Sequence, residues 1–150
     1  MAFTTRDDIA IDGVGVSIFV FVKFLAGGNP EFTFCKDAAA EEAYSSHDYE
    51  VPPRKKCGIY FWLTANSDNG AHFPSEPCNW NTGQPPTVSD GYMTSNSKGF
   101  SIEVDNENPP TQDESFHFKL VVDDDQNVHH VSQVYEVDPT IVEKGDPGTF

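Results

Sequence analysis

The chain has 150 residues, with 24 acidic against 9 basic side chains and a formal charge of -15 at neutral pH. That balance excludes nucleic acid and anionic membrane surfaces as partners, because phosphate binding needs clustered Lys and Arg; the acids read as a solubilising surface, with a patch for cations or basic partners as the alternative. A single domain's length, 12 Phe, and 11 each of Gly and Pro predict a packed core, many turns and few long helices.

The first eight residues, ending Arg6-Asp7-Asp8, are acidic where a signal peptide would be basic. The apolar stretch 14–25 contains Lys23 and is too short to span a bilayer. The reading is a complete, cytoplasmic chain. Val14, Val16, Ile18, Val20, Val22 and Phe24 recur at every second position, which is the period of a strand. Gly13, Gly15 and Ser17 on the other face suggest close packing or a bend. Gly27-Gly28-Asn29-Pro30 makes a turn, and Phe32 and Phe34 alternate into a second strand.

Asp37 followed by Ala38-Ala39-Ala40-Glu41-Glu42-Ala43-Tyr44 predicts one short helical turn over 38–44, capped by Asp37. Residues 45–56 read as a loop broken by Pro52-Pro53. Ile59, Phe61, Leu63 and Ala65 alternate with Tyr60, Trp62 and Thr64; two apolar faces imply a central strand. Residues 66–98 read as a long loop region with short strands near Trp80 and Tyr92. Strands follow at 100–105 and 116–122. Asp123-Asp124-Asp125-Gln126-Asn127 reads as a hairpin turn, residues 128–137 as the last long strand, and Pro139 as its stop or as an edge. The rest is a C-terminal tail, 140–150, with a second Asp-Pro at Asp146-Pro147. Six or seven such strands predict an all-β, antiparallel sandwich, Ig-like or barrel-like, in one domain.

Cys35, Cys57 and Cys78 include no CxxC pair, so a zinc or thioredoxin-type site is not indicated. Three structural thiols suit a reducing compartment; a Cys57–Cys78 disulfide is the alternative. His117, His129 and His130 lack the spacing of a metal site, and Asp123 to Asp125 lack the EF-hand pattern. No cofactor is indicated. No G-x-S-x-G or other nucleophile context supports hydrolysis of an external substrate.

Ile59-Tyr60-Phe61-Trp62-Leu63, then Phe73-Pro74, Phe100-Ser101-Ile102-Glu103-Val104-Asp105-Asn106, Phe116-His117-Phe118-Lys119-Leu120-Val121-Val122 and Val137-Asp138-Pro139-Thr140-Ile141-Val142 form an ordered series. Over residues 57–145 it resembles the small bacterial β-sandwich proteins of the DP-EP family. The resemblance implies self-cleavage at Asp138-Pro139, capture of the freed Asp138 by a lysine amine, and self-association. Lys119 is the nearest match to that amine, with Lys144 and Lys98 as substitutes.

The chemistry is sound: the Asp138 carboxyl lies one carbon from its own main-chain carbonyl and can attack it at high effective concentration. Glu136, two residues earlier on an extended strand, shares a face with Asp138 and is the first candidate to protonate the proline nitrogen, followed by His117 and Asp105. Outside the resemblance, Asp-Pro reads as a turn dipeptide, Glu136 as a solvated strand end and Lys119 as a sheet-surface lysine. A simple hairpin about Asp125 also pairs Lys119 with residues near Val131, leaving Asp138 more than roughly 20 Å away at strand rise. The alternative function is a non-catalytic binding or assembly module with Phe73, Trp80 and Tyr92, from the 66–98 region, as its contact surface.

Overall fold

A computed structural model describes residues 3–6, 14–24, 30–43, 48–67, 70–81, 83–124 and 140–145. The turn expected at 27–29, the strand expected at 128–137, His129, His130, Glu136 and the Asp138-Pro139 bond lie outside them.

The described chain is all-β: β1 (Thr4–Thr5), β2 (Val14–Phe24), β3 (Pro30–Cys35), β4 (Asp48–Val51), β5 (Lys55–Leu63), β6 (Ala71–His72), β7 (Cys78–Trp80), β8 (Val88–Met93), β9 (Gly99–Asn106), β10 (Glu114–Leu120), β11 (Asp123–Asp124) and β12 (Thr140–Glu143). A six-stranded sheet has the order β1-β8-β9-β5-β2-β3, a four-stranded sheet the order β4-β12-β10-β7, and β11 pairs with β6. The sheets pack together as a sandwich. They are mixed rather than purely antiparallel, since β1/β8, β2/β5 and β4/β12 run parallel.

Strict alternation builds the large sheet. Ile18, Val20 and Val22 of β2 are fully buried. The central position expected for β5 is observed, between β9 and β2. Gly15 and Gly58 lie opposite each other across β2 and β5. A Cβ on either would come within 2.6 Å of the Tyr60 ring or its hydroxyl, so the glycine pair makes room for that side chain.

Aromatic residues join the layers. Phe61 of β5 stacks on Phe100 of β9 at 4.9 Å and meets Phe118 of β10 edge-on at 6.0 Å. Phe73 packs edge-on against Phe100 at 4.8 Å, and Trp80 of β7 against Phe118 at 4.7 Å. This is where the Phe-rich composition goes: stacked and edge-to-face pairs across the buried interior.

Several expectations are corrected. No helix forms at 38–43. Asp37 does accept the Glu41 and Glu42 amides on Oδ1, both at 3.0 Å, but Ala40 turns to φ 58° and Ala43 bridges back to Cys35, which closes a loop instead of a helical turn. The loop expected at 45–56 contains β4 and the start of β5. Tyr49 and Val51 are buried there on one face while Glu50 is exposed, an alternation too short to stand out in the sequence. Asp123 and Asp124 pair with β6 instead of starting a tight turn. Residues 140–143, read as the start of a tail, form an interior strand of the smaller sheet. The short strands expected near Trp80 and Tyr92 are β7 and β8. All three cysteines are free thiols, so Cys57 and Cys78 do not pair. Among the described residues no helix is long and apolar enough to cross a membrane.

Candidate functional site

Thr140 opens β12 and follows Asp138-Pro139 directly in the sequence. β12 runs parallel to β4 on one side and antiparallel to β10 on the other. Against β10, Glu143 lies opposite Glu114 and Thr140 opposite His117. The simple hairpin about Asp125 would set His117 near Gln133; the observed register is offset from it by seven residues. The reason lies after β10. Val121 and Val122 carry the chain to β11, which pairs with β6, so β10 does not run straight into a turn.

On β10, Phe118 and Leu120 are fully buried, so Lys119 and the exposed His117 point to the outer face. Lys119 is half-buried and lies opposite Asn79 of β7. Its substitutes are engaged elsewhere. Lys98 Nζ donates to the Ala71 carbonyl. Lys144 Nζ donates to Asp113 Oδ2 at 2.7 Å and faces Glu50 at 3.8 Å, and the bond to Asp113 raises its pKa. Lys119 has no salt bridge among the described residues. His117 and Lys119 are therefore brought together on one strand. Asp105 is not with them: it lies on β9 opposite Lys56, near Glu143 at the other end of β12 from Thr140.

Glu143 is the buried acid that reasoning from sequence missed. It shares a face with Ile141 and is 2% exposed. Thr87 Oγ1 donates to Glu143 Oε2 at 2.5 Å. Burial pushes the Glu143 pKa up; the Thr87 bond opposes this, and the nearby Glu114 and Asp105 carboxylates reinforce it. Around it, the last described residues are held closely. Asn106 Nδ2 donates to the carbonyls of Val51, Pro52 and Lys144 at 3.0–3.1 Å. The Lys144 amide donates to the Val51 carbonyl at 2.9 Å, and the Gly145 amide to Asp113 Oδ1 at 2.8 Å. That bond and the one from Lys144 hold the Asp113 carboxyl below the usual carboxylate range. A Cβ at Gly145 would sit 2.5 Å from the Gln112 backbone, so only glycine fits there.

A cleft of about 190 Å³ lies elsewhere, lined by Phe3, Glu76, Pro77, Cys78, Trp80, Gln84 and Asp90. Burial raises the Asp90 pKa there, against a hydrogen bond from Gln84. It shares no residue with the self-cleavage site expected from sequence, but Trp80 and five other lining residues belong to the 66–98 region expected as a contact surface. Of the aromatic surface expected in 66–98, Phe73 is 1% exposed and belongs to the core. Tyr92 is half-buried beneath the Arg6 guanidinium at 4.3 Å. Trp80 is half-buried against Phe118. Among the described residues no three His, Cys, Asp or Glu side chains are grouped to hold a metal ion.

Neither protein-family models nor curated proteins match this chain.

Proposed function

We propose that the chain cuts its own Asp138-Pro139 bond through the Asp138 side chain and that Lys119 captures the freed acyl group. The observation that carries this reading is the β10/β12 register. Thr140 lies opposite His117; the proposal continues that register by two residues, which would set Asp138 opposite Lys119. Opposed residues of an antiparallel pair have Cα atoms about 4.5–5.5 Å apart and side chains on one face. β7 occupies the other flank of β10, which leaves the β12 side of Lys119 for the pairing that the proposal requires. The offset register supports the proposal, because the separation of more than roughly 20 Å followed from the simple hairpin.

The step balances as follows. A carboxylate oxygen of Asp138 attacks its own main-chain carbonyl carbon, closing a five-membered cyclic anhydride. The bond to the Pro139 nitrogen breaks, and that nitrogen takes a proton and leaves as a secondary amine. Glu136 is the proton donor of first choice and His117 the second, since Asp105 lies beside Glu143 at the wrong end of β12. Water then opens the anhydride to give hydrolysis. Alternatively the neutral Lys119 amine attacks it, forms an amide to Asp138, loses a proton and leaves one free carboxylate. The reading as a passive contact module loses Phe73 to the core.

Intact-mass spectrometry of fresh and aged protein tests the proposal. Fragments ending at Asp138 and beginning at Pro139 are expected, absent from Asp138→Ala. Part of the longer fragment should be lighter by one water, and Lys119→Arg should remove only that lighter species. A single unchanged mass over days near neutral pH contradicts the proposal.

A further inference from the structure

The cleft beside Trp80 and Asp90 lies where the two sheets meet at one side of the sandwich. Cys78 and Trp80 belong to β7, the outer strand of the smaller sheet among the described residues; Asp90 belongs to β8, and Phe3 directly precedes β1 of the larger sheet. We infer that this cleft binds a small organic cation, a primary alkylammonium ion, whose charged head meets Asp90 and whose carbon chain lies against Trp80 and Phe3. It shares no residue with the proposed self-cleavage and stands or falls without it.

The charge of the cleft is one-sided. Asp90 and Glu76 line it, and among the described lining residues none is Lys, Arg or His. Asp90 is half-buried and Glu76 exposed. Gln84 Nε2 donates to Asp90 Oδ1 at 3.1 Å and to the Val88 carbonyl at 2.8 Å, which fixes that carboxyl group and leaves Oδ2 to accept from a ligand. Asp90 also sits where β8 breaks register against β9, a bulge of the kind that re-aims a side chain. Burial raises the Asp90 pKa and the Glu76 carboxylate adds to it, against the Gln84 bond. A bound cation offsets both effects.

The remaining walls select among cations. Trp80 is tilted on Phe118 at 4.7 Å and Phe3 stands edge-on to Phe100 at 5.4 Å, so both half-exposed rings are braced by buried ones. Aromatic faces attract a cation that lies over them. A hard divalent metal takes about six oxygen ligands or more, and no three acidic, His or Cys side chains are grouped among the described residues. A guanidinium fork wants both carboxylate oxygens, and Gln84 already holds one. A quaternary ammonium wants an aromatic cage; two rings with a carboxylate acceptor suit an N–H donor instead. The volume of about 190 Å³ falls below the roughly 300 Å³ at which drug-sized pockets begin, so the ligand carries only a few carbons. Cys78 is a neutral wall, since burial and then the Asp90 carboxylate push its thiol pKa well up and disfavour the thiolate. The chain's charge of -15 draws cations in from a distance.

The test titrates n-butylammonium into the isotope-labelled full chain carrying Asp138→Ala, so that scission plays no part, in about 0.15 M sodium chloride to screen general surface attraction. Nuclear magnetic resonance should show saturable shifts of the amide signals around Cys78, Trp80 and Asp90. Asp90→Asn should weaken binding about tenfold or more, and Trp80→Leu about two- to fivefold. Glu76→Lys, at an exposed position that leaves the fold intact, should weaken it about fivefold. Acetylating the chain's own α-amino group, which also acts on Asp90, should not weaken it. n-Butanol, tetramethylammonium and ethylguanidinium should each bind less tightly than n-butylammonium. Nα-acetyl-lysine methylamide, which carries the same head group on a peptide unit, should also bind less tightly; the reverse order replaces the free amine by the lysine of a protein partner. Equal binding of n-butanol, tighter binding of either other cation, shifts spread evenly over the acidic surface, or undiminished affinity in both Asp90→Asn and Glu76→Lys overturns the inference.

Discussion

Thr87 and Glu143 form a buried hydrogen-bonded pair behind β12. A buried carboxyl that loses its hydrogen-bond donor costs about 1–3 kcal/mol. Thr87→Val, which keeps the shape and removes the hydroxyl, should lower stability by that amount, measured from urea unfolding midpoints. The sign of the pH effect follows from the raised Glu143 pKa. The native state holds this proton more tightly than the unfolded chain does. Its contribution is therefore fully present below the unfolded-state value and is lost as pH rises through the native value. Asp113 works the other way: its depressed pKa gives a contribution present above the ordinary carboxylate value and lost as pH falls. Glu143→Gln should flatten the decline on the alkaline side of the Glu value and leave the acid side unchanged, as read from unfolding midpoints across pH. Glu143 was legible in principle, since period two from Ile141 points it inward. Reading Pro139 as a stop hid that, because a strand can resume directly after a residue that merely lacks an N–H.

At the scale of elements, the long alternating runs told the truth about themselves. β2, β5, β9 and β10 are where their periodicity places them, because a strand with one or two buried faces writes its period over many residues. β4, β6 and β12 are two to four residues long, and so few positions carry no resolvable period. The alanine-rich run at 38–43 was misleading for a different reason: helix propensity over two turns is too weak to outweigh the loop closed by Asp37 and the Cys35–Ala43 bridge. Pairing partners were not legible either. Register between β10 and β12 depends on the excursion through β11, which the aspartate-rich run made look like a turn. Gly145→Ala tests the closeness of the last segment. The clash with the Gln112 backbone should destabilise the protein by about 1–3 kcal/mol, as overpacking does, by chemical denaturation.

Across the whole molecule, two sheets are joined by one aromatic interior that the 12 Phe foretold. Phe118, fully buried and in contact with both Phe61 and Trp80, links the layers. Phe118→Ala should cost about 3–5 kcal/mol, read from the urea midpoint. The acidic surface acts against compactness, so added salt should raise the melting temperature of the wild-type chain, and scanning calorimetry over a salt series will show it.

The proposed self-cleavage requires Asp138 to meet Lys119 across β10, and a disulfide trap tests that pairing most directly. Paired cysteines bridge only when their Cα atoms lie within about 7 Å. Lys119→Cys with Asp138→Cys should oxidise to a 119–138 bridge, identified by peptide mapping against the native Cys35, Cys57 and Cys78, while Lys119→Cys with Val131→Cys should not. A bridge to position 131 with none to 138 would restore the simple hairpin and contradict the account.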